Sequence, residues 1–288
     1  MVWTDNLVAW TKQVANKYDL QLGRRLGQNF LVNQHVLEAV ISAANLESTD
    51  KVLEVGAGIG TLTIALMERG VFLVTVEYDR KLIPILSKIV DTQNKYKIIA
   101  GDILKISDEE LRTALGGGEN FKIVANLPYE ISGAFLKRFL SGGLKPNLMV
   151  LMLQKEVGDR LVAKPGQMNL LALQAQLYSE VELIKKVSSQ SFYPVPQVES
   201  VIVRFIVKKE SSIRRLVNSE EETIFWQLAK AGFIHKRKYL LSNLVGCLGK
   251  DKAFVKRAFV DAELSPEIRA QQLSLEKWLQ LAKIWFKG

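Results

Sequence analysis

Lys51-Val-Leu-Glu-Val-Gly-Ala-Gly-Ile-Gly-Thr61 is the stretch that decides the fold. Five residues of strand length, apolar apart from Lys51 and Glu54, run straight into glycines at 56, 58 and 60. A helical pattern starts near Thr61. Glycines at a strand-to-helix turn let a ligand lie against the backbone, because no Cβ stands in the way. A dinucleotide turn needs glycine or alanine where Thr61 stands, so a nicotinamide dehydrogenase is disfavoured. Gly-x-Gly-x-Gly after an acidic strand is instead the form usual in enzymes that bind S-adenosylmethionine, a ligand without a pyrophosphate to seat on the helix N-terminus.

Outward from this turn the chain alternates. Apolar runs predict strands at 51–55, 72–76, 97–99, 121–125 and 148–153, with helices near 61–69, 80–90, 108–114 and 132–140. Strands joined by helical crossovers imply a parallel sheet covered on both faces. Further strands are expected at 181–187 and at the β-branched run 201–207. Before the turn, Val2, Leu7, Trp10, Val14 and Tyr18 fall at helical spacing over 1–20, a loop spans 22–33, and a helix is expected over 34–45. The polar stretch 208–219 reads as a linker, and 220–288 is helical in period. The expected division is a domain over 1–210, with an N-terminal helical extension over 1–45, and a helical domain over 211–288.

Composition narrows the class. Of 288 residues, 48% are hydrophobic, enough for a sizeable core, and 39 basic against 30 acidic residues leave a net charge of +9. Such an excess favours anionic partners, nucleic acid among them. A single cysteine, Cys247, excludes an intrachain disulfide and is expected to be a buried apolar filler. His35 and His235 stand far apart, and no cluster has metal-ligand spacing, so no metal is expected. No run approaches the ~18 apolar residues of a membrane span, and no basic-then-apolar leader opens the chain. A cytoplasmic protein with no membrane partner is expected.

Polar residues follow successive strands. Glu77 ends the second, 21 residues after Gly56, where a carboxylate can accept both hydroxyls of a ribose. Asp102 follows the third and can accept from an adenine amino group. Asn126-Leu-Pro-Tyr129 follows the fourth. Its side-chain amide, its proline-fixed carbonyls and its aromatic face suit a flat ring bearing an exocyclic amino group. Taken singly, Glu77 and Asp102 fit a helix cap or a surface carboxylate. In register at the carboxyl ends of parallel strands, all converge on one crevice.

The combined motifs resemble the KsgA-type ribosomal RNA small-subunit adenine N6,N6-dimethyltransferases. The resemblance rests on Gly27-Gln-Asn-Phe-Leu31, Glu54 to Thr63, Glu77 with Asp79, Gly101-Asp-Ile-Leu104 and Asn126-Leu-Pro-Tyr-Glu-Ile-Ser132. It continues through Met152 to Val157, Arg160 to Ala163, Phe192-Tyr-Pro-Val-Pro-Gln-Val-Glu-Ser200, His235 to Leu240 and Arg269 to Leu273. Ala57 stands where that family usually has proline, Glu130 where it has asparagine, and Gln167 to Leu171 where it has a Tyr-Gly stretch. A 23S ribosomal RNA adenine methyltransferase shares Gln28 to Leu31 and a similar Asn-x-Pro-Tyr, but Met152–Val157 and Phe192–Ser200 favour the small-subunit enzyme.

The resemblance implies an α/β fold, a Rossmann-like class I S-adenosylmethionine-dependent methyltransferase with a small all-α C-terminal domain. It implies dimethylation at N6 of two adjacent adenosines in the 3′-terminal hairpin of 16S ribosomal RNA, within the immature small subunit. S-adenosylmethionine would be the donor and S-adenosylhomocysteine the product. Asn29, Leu31, Gly56, Glu77, Asp102 and Asn126 would line the cofactor. Asn126, with the Leu127 or Pro128 carbonyl, would hold N6, and Tyr129 and Phe192 would sandwich the flipped adenine. Arg24, Arg25, Lys236, Arg237 and Lys238, with Lys155 and Arg160 as further candidates, would hold RNA. A monomer is expected.

Overall fold

The computed structural model describes residues 6–20, 29–89, 95–118 and 120–287. In chain order the first part contains α1 (Leu7–Lys17), β1 (Phe30–Leu31), α2 (Gln34–Ala44), β2 (Lys51–Val55), α3 (Thr61–Met67), β3 (Phe72–Glu77), α4 (Ile83–Ile89), β4 (Tyr96–Ala100), α5 (Asp108–Ala114), β5 (Lys122–Asn126), α6 (Ser132–Ser141) and β6 (Leu148–Gln154). Next come α7 (Lys155–Leu161), α8 (Leu170–Tyr178), β7 (Ser179–Val187), β8 (Phe192–Tyr193) and β9 (Ser200–Val207). Five helices end the chain: α9 (Glu210–Leu216), α10 (Ser219–Phe233), α11 (Leu240–Leu248), α12 (Lys252–Asp261) and α13 (Leu275–Lys287).

Seven strands form one sheet in the order β4-β3-β2-β5-β6-β9-β7. β4, β3, β2, β5 and β6 run parallel, and β9 returns antiparallel to β6. The inner strands are buried on both faces, which is why they read as unbroken apolar runs. From β2 the chain moves outward to β3 and β4, then resumes on β2's other side at β5. That reversal opens a crevice at the carboxyl ends of β2 and β5.

Two compact units divide the chain: 1–158 with 181–207, and 159–180 with 208–288. The expected boundary at 210 therefore shifts. Residues 159–180 join the helical tail, because α8 packs on α10 and α13. There the Tyr178 hydroxyl bonds the Glu222 carboxylate and accepts from the Trp226 ring nitrogen at 3.0 Å. Within the tail Trp278 lies over Gly232, where a Cβ would come within 2.6 Å of its ring.

Other expectations are corrected. The linker over 208–219 contains α9: Ile213 is buried, and Arg214 pairs with Glu210 and with Glu222 at 2.6 Å each, so ion pairs support a helix that composition hides. Cys247 is exposed, on the outer face of α11. The loop expected over 22–33 contains β1, which pairs antiparallel with β8. Of the expected lead helix, Leu7, Trp10 and Val14 are buried, while Val2 lies outside the described residues.

Candidate active site

The glycine turn is built by backbone conformation. Gly56 and Gly58 have φ of +74° and +59°, which other residues adopt only under strain. A Cβ at Gly56 would lie 3.5 Å from the Pro128 ring and 3.6 Å from the Asn126 carbonyl oxygen, and one at Gly58 would press on the Phe30 ring at 3.0 Å. The turn is thus kept thin where it faces the crevice.

Below it, Glu54 of β2 is fully buried and accepts from the Thr63 and Thr75 hydroxyls at 2.7 and 2.8 Å, all on Oε2. Its Oε1 has no partner. Burial pushes its carboxyl up to about 7 against those two bonds, and the nearby Glu77 charge adds to the rise. Glu77, the last residue of β3, accepts from the Gly58 amide at 2.9 Å and from the Asp79 amide at 2.8 Å. Burial raises its carboxyl, and these two amides oppose the rise. Its oxygens are therefore aimed before any ligand arrives and keep lone pairs for two hydroxyl donors.

Asp102 accepts the Leu104 amide at 3.0 Å. Asn126 closes β5, opposite Met152 of β6. Its side-chain nitrogen donates to the Asn29 carbonyl at 3.3 Å, which assigns Oδ1 as the acceptor left for a ligand. In the following turn the Pro128 carbonyl accepts the Ile131 amide at 3.3 Å, so the Leu127 carbonyl is the better acceptor of the two. The Tyr129 and Ser200 hydroxyls share a hydrogen bond of 2.8 Å. Phe192 is buried and stands opposite Leu31 in the β1–β8 ladder.

One cavity of about 480 Å³ is lined by all ten crevice residues singled out from sequence: Asn29, Leu31, Gly56, Glu77, Asp102, Asn126, Leu127, Pro128, Tyr129 and Phe192. Glu130 lines it too. Lys236, Arg237 and Lys238 lie in the helical unit, exposed on the turn between α10 and α11. Arg24 and Arg25 fall outside the described residues. Sequence gave no role to Phe30, which backs the glycine turn, to Ser200, which holds Tyr129, or to Asn243. Asn243 is buried in α11 and donates to the Gly232 and His235 carbonyls at 2.7 and 3.1 Å, fixing the basic turn. Phe30 and Ser200 lie in the motifs Gly27–Leu31 and Phe192–Ser200, but their partners are remote in sequence. Among the described residues no group of histidine, cysteine and carboxylate side chains has metal-binding proximity, and no helix is long and apolar enough to cross a membrane.

A cavity thin at its glycine turn, with a pre-aimed carboxylate and an open amide acceptor beside an aromatic ring, suits a nucleoside-bearing donor and a flat amino-bearing base together. The model of a family described as ribosomal RNA adenine dimethylase matches residues 20–287. A ribosomal RNA small subunit methyltransferase A of Dehalococcoides mccartyi is 40% identical over 276 residues, 96% of this chain and 92% of the relative. The crystal structure of a dimethyladenosine transferase from Plasmodium falciparum matches with a TM-score of 0.72 at 26% identity, covering 90% of this chain and 98% of that one. That of a 23S rRNA methyltransferase, ErmE, matches with a TM-score of 0.68 at 21% identity, covering 89% and 99%, and shows the common α/β methyltransferase fold.

Proposed function

Because the chain belongs to the ribosomal RNA adenine dimethylase family, we propose that it places two methyl groups on N6 of each of two adjacent adenosines in the 3′-terminal hairpin of 16S ribosomal RNA. It is an rRNA adenine dimethyltransferase. The donor in this reading is S-adenosylmethionine, and the substrate is the immature small subunit, met by a cytoplasmic monomer. The observation that carries the reading is the single crevice in which the glycine turn, Glu77 and Asp102 adjoin Asn126-Leu-Pro-Tyr129.

The donor, when bound, supplies a methyl group already activated by a sulfonium charge. Its nucleoside would rest on Gly56, with Glu77 accepting the ribose hydroxyls and Asp102 the adenine amino group. Asn29 and Leu31 would close the side of the site. An adenine N6 is a weak nucleophile, because its lone pair is delocalised into the ring. Asn126 Oδ1 and the Leu127 carbonyl would accept its two hydrogens, turning the lone pair towards the methyl carbon and stabilising the positive charge that grows on nitrogen. No strong base is required, because the proton becomes acidic as the new bond forms. The base must leave its stack to enter, and faces such as Tyr129 and Phe192 return on the order of 1–3 kcal/mol each.

Tritiated methyl transfer into small subunits lacking the modification, followed by mass spectrometry of the RNA, tests this. Asn126→Ala should lower incorporation on the order of 10²-fold. Equal incorporation by the variant, or methyls on another base, would refute it.

A further inference from the structure

We infer that Ser200 is a positioning residue that sets the axis of the Tyr129 ring, and that the second methyl transfer depends on it more than the first. The inference rests on the proposed stacking of the target base against Tyr129. Stacking needs only a ring face, and phenylalanine would supply one. A tyrosine hydroxyl at a half-buried site costs free energy unless it finds a partner. Here that partner is Ser200 Oγ at 2.8 Å, on a residue with 0% exposure. The hydroxyl oxygen lies on the long axis of the ring. Holding it therefore fixes where the long axis of the ring points, and leaves rotation about that axis to the walls on either side.

The anchor is itself fixed. Ser200 opens β9, opposite Gln154 of β6, and its neighbour Glu199 accepts the Lys155 amide at 2.9 Å. The segment ending at Ser200 begins at Phe192, which is buried in the β1–β8 ladder. One short segment thus supplies one aromatic wall and tethers the other.

The two transfers use this tether unequally. Before the first, the amino group offers two hydrogens, one for Asn126 Oδ1 and one for the Leu127 carbonyl. After it, one hydrogen remains beside a methyl group. Orientation then falls more heavily on the ring faces. A slackened Tyr129 should let N6-monomethyladenosine accumulate.

The test measures single-turnover rates of both transfers into unmodified small subunits. Ser200→Ala and Tyr129→Phe should each lower the ratio of second to first rate about fivefold, with the KM for S-adenosylmethionine unchanged. The double variant should be no worse than either single one, since both remove the same bond. Ser200→Thr, which keeps the hydroxyl, should restore the ratio. If Ser200→Ala does not fold, Tyr129→Phe carries the measurement alone. A wild-type ratio in Tyr129→Phe, or additive losses in the double variant, would overturn the inference. Full activity in Tyr129→Ala would instead overturn the stacking reading beneath it.

Discussion

Glu54 shows how one side chain records its surroundings. Its carboxyl is 0% exposed, satisfied on one oxygen and orphaned on the other. The folded group titrates near 7 against an ordinary 4.5, so the native state binds this proton more tightly than the unfolded chain. Its contribution therefore favours folding below the unfolded value and is lost as pH rises through about 7. Glu54→Gln keeps the shape and the acceptor for Thr63 and Thr75, and it cannot ionise. Relative to wild type it should gain on the order of 2–3 kcal/mol between about pH 5 and pH 8, read from denaturant midpoints at each pH. A constant difference across that range would contradict the assignment. At Gly58 the backbone is left-handed and the Phe30 ring is within 3.0 Å of a virtual Cβ. Gly58→Ala should weaken binding of S-adenosylhomocysteine at least tenfold by calorimetry, because strain and the displaced ring both disturb the amide that aims Glu77.

Among the elements, the strands that cross the core were the most legible in the chain. β2, β3, β5 and β6 are buried on both faces, so each is an apolar run that a reader can find; β3 and β5 end in Glu77 and Asn126 at the crevice, and Gly56 follows β2 there. Such strand-end residues gave most of the site. β1 and β8 are two residues each, too short for any period, and exist only because they pair with one another. α8, Leu170-Leu-Ala-Leu-Gln-Ala-Gln-Leu-Tyr178, is apolar nearly all round and carries no stripe to betray it. The Tyr129–Ser200 and Asn126–Asn29 bonds span 71 and 97 residues, beyond any local pattern. The same holds for Asn243, which braces the basic turn from the next helix. Asn243→Ala should lower stability by about 1–3 kcal/mol, since the buried Gly232 carbonyl and the half-buried His235 carbonyl lose their donor. It should also weaken RNA binding in filter assays if Lys236, Arg237 and Lys238 act as a fixed array. Unchanged stability would show that the turn holds itself.

For the whole molecule, the excess of nine positive charges favours an anionic partner. Affinity for a hairpin of small-subunit RNA should fall steeply with salt. Replacing Lys236, Arg237 and Lys238 by alanine should flatten the log–log slope by about 2–3, as each lost phosphate contact releases fewer counterions. An unaltered slope would place the RNA elsewhere. The exposed sulfur of Cys247 has a more practical consequence. It is the one thiol in the chain, and its accessibility invites coupling between two copies during aerobic storage. Such preparations should show a species of doubled mass on a non-reducing gel that dithiothreitol dissolves and Cys247→Ser never forms. A bench artefact of that kind would imitate a natural dimer, while the same atom gives a single, stoichiometric attachment point for a fluorescent dye.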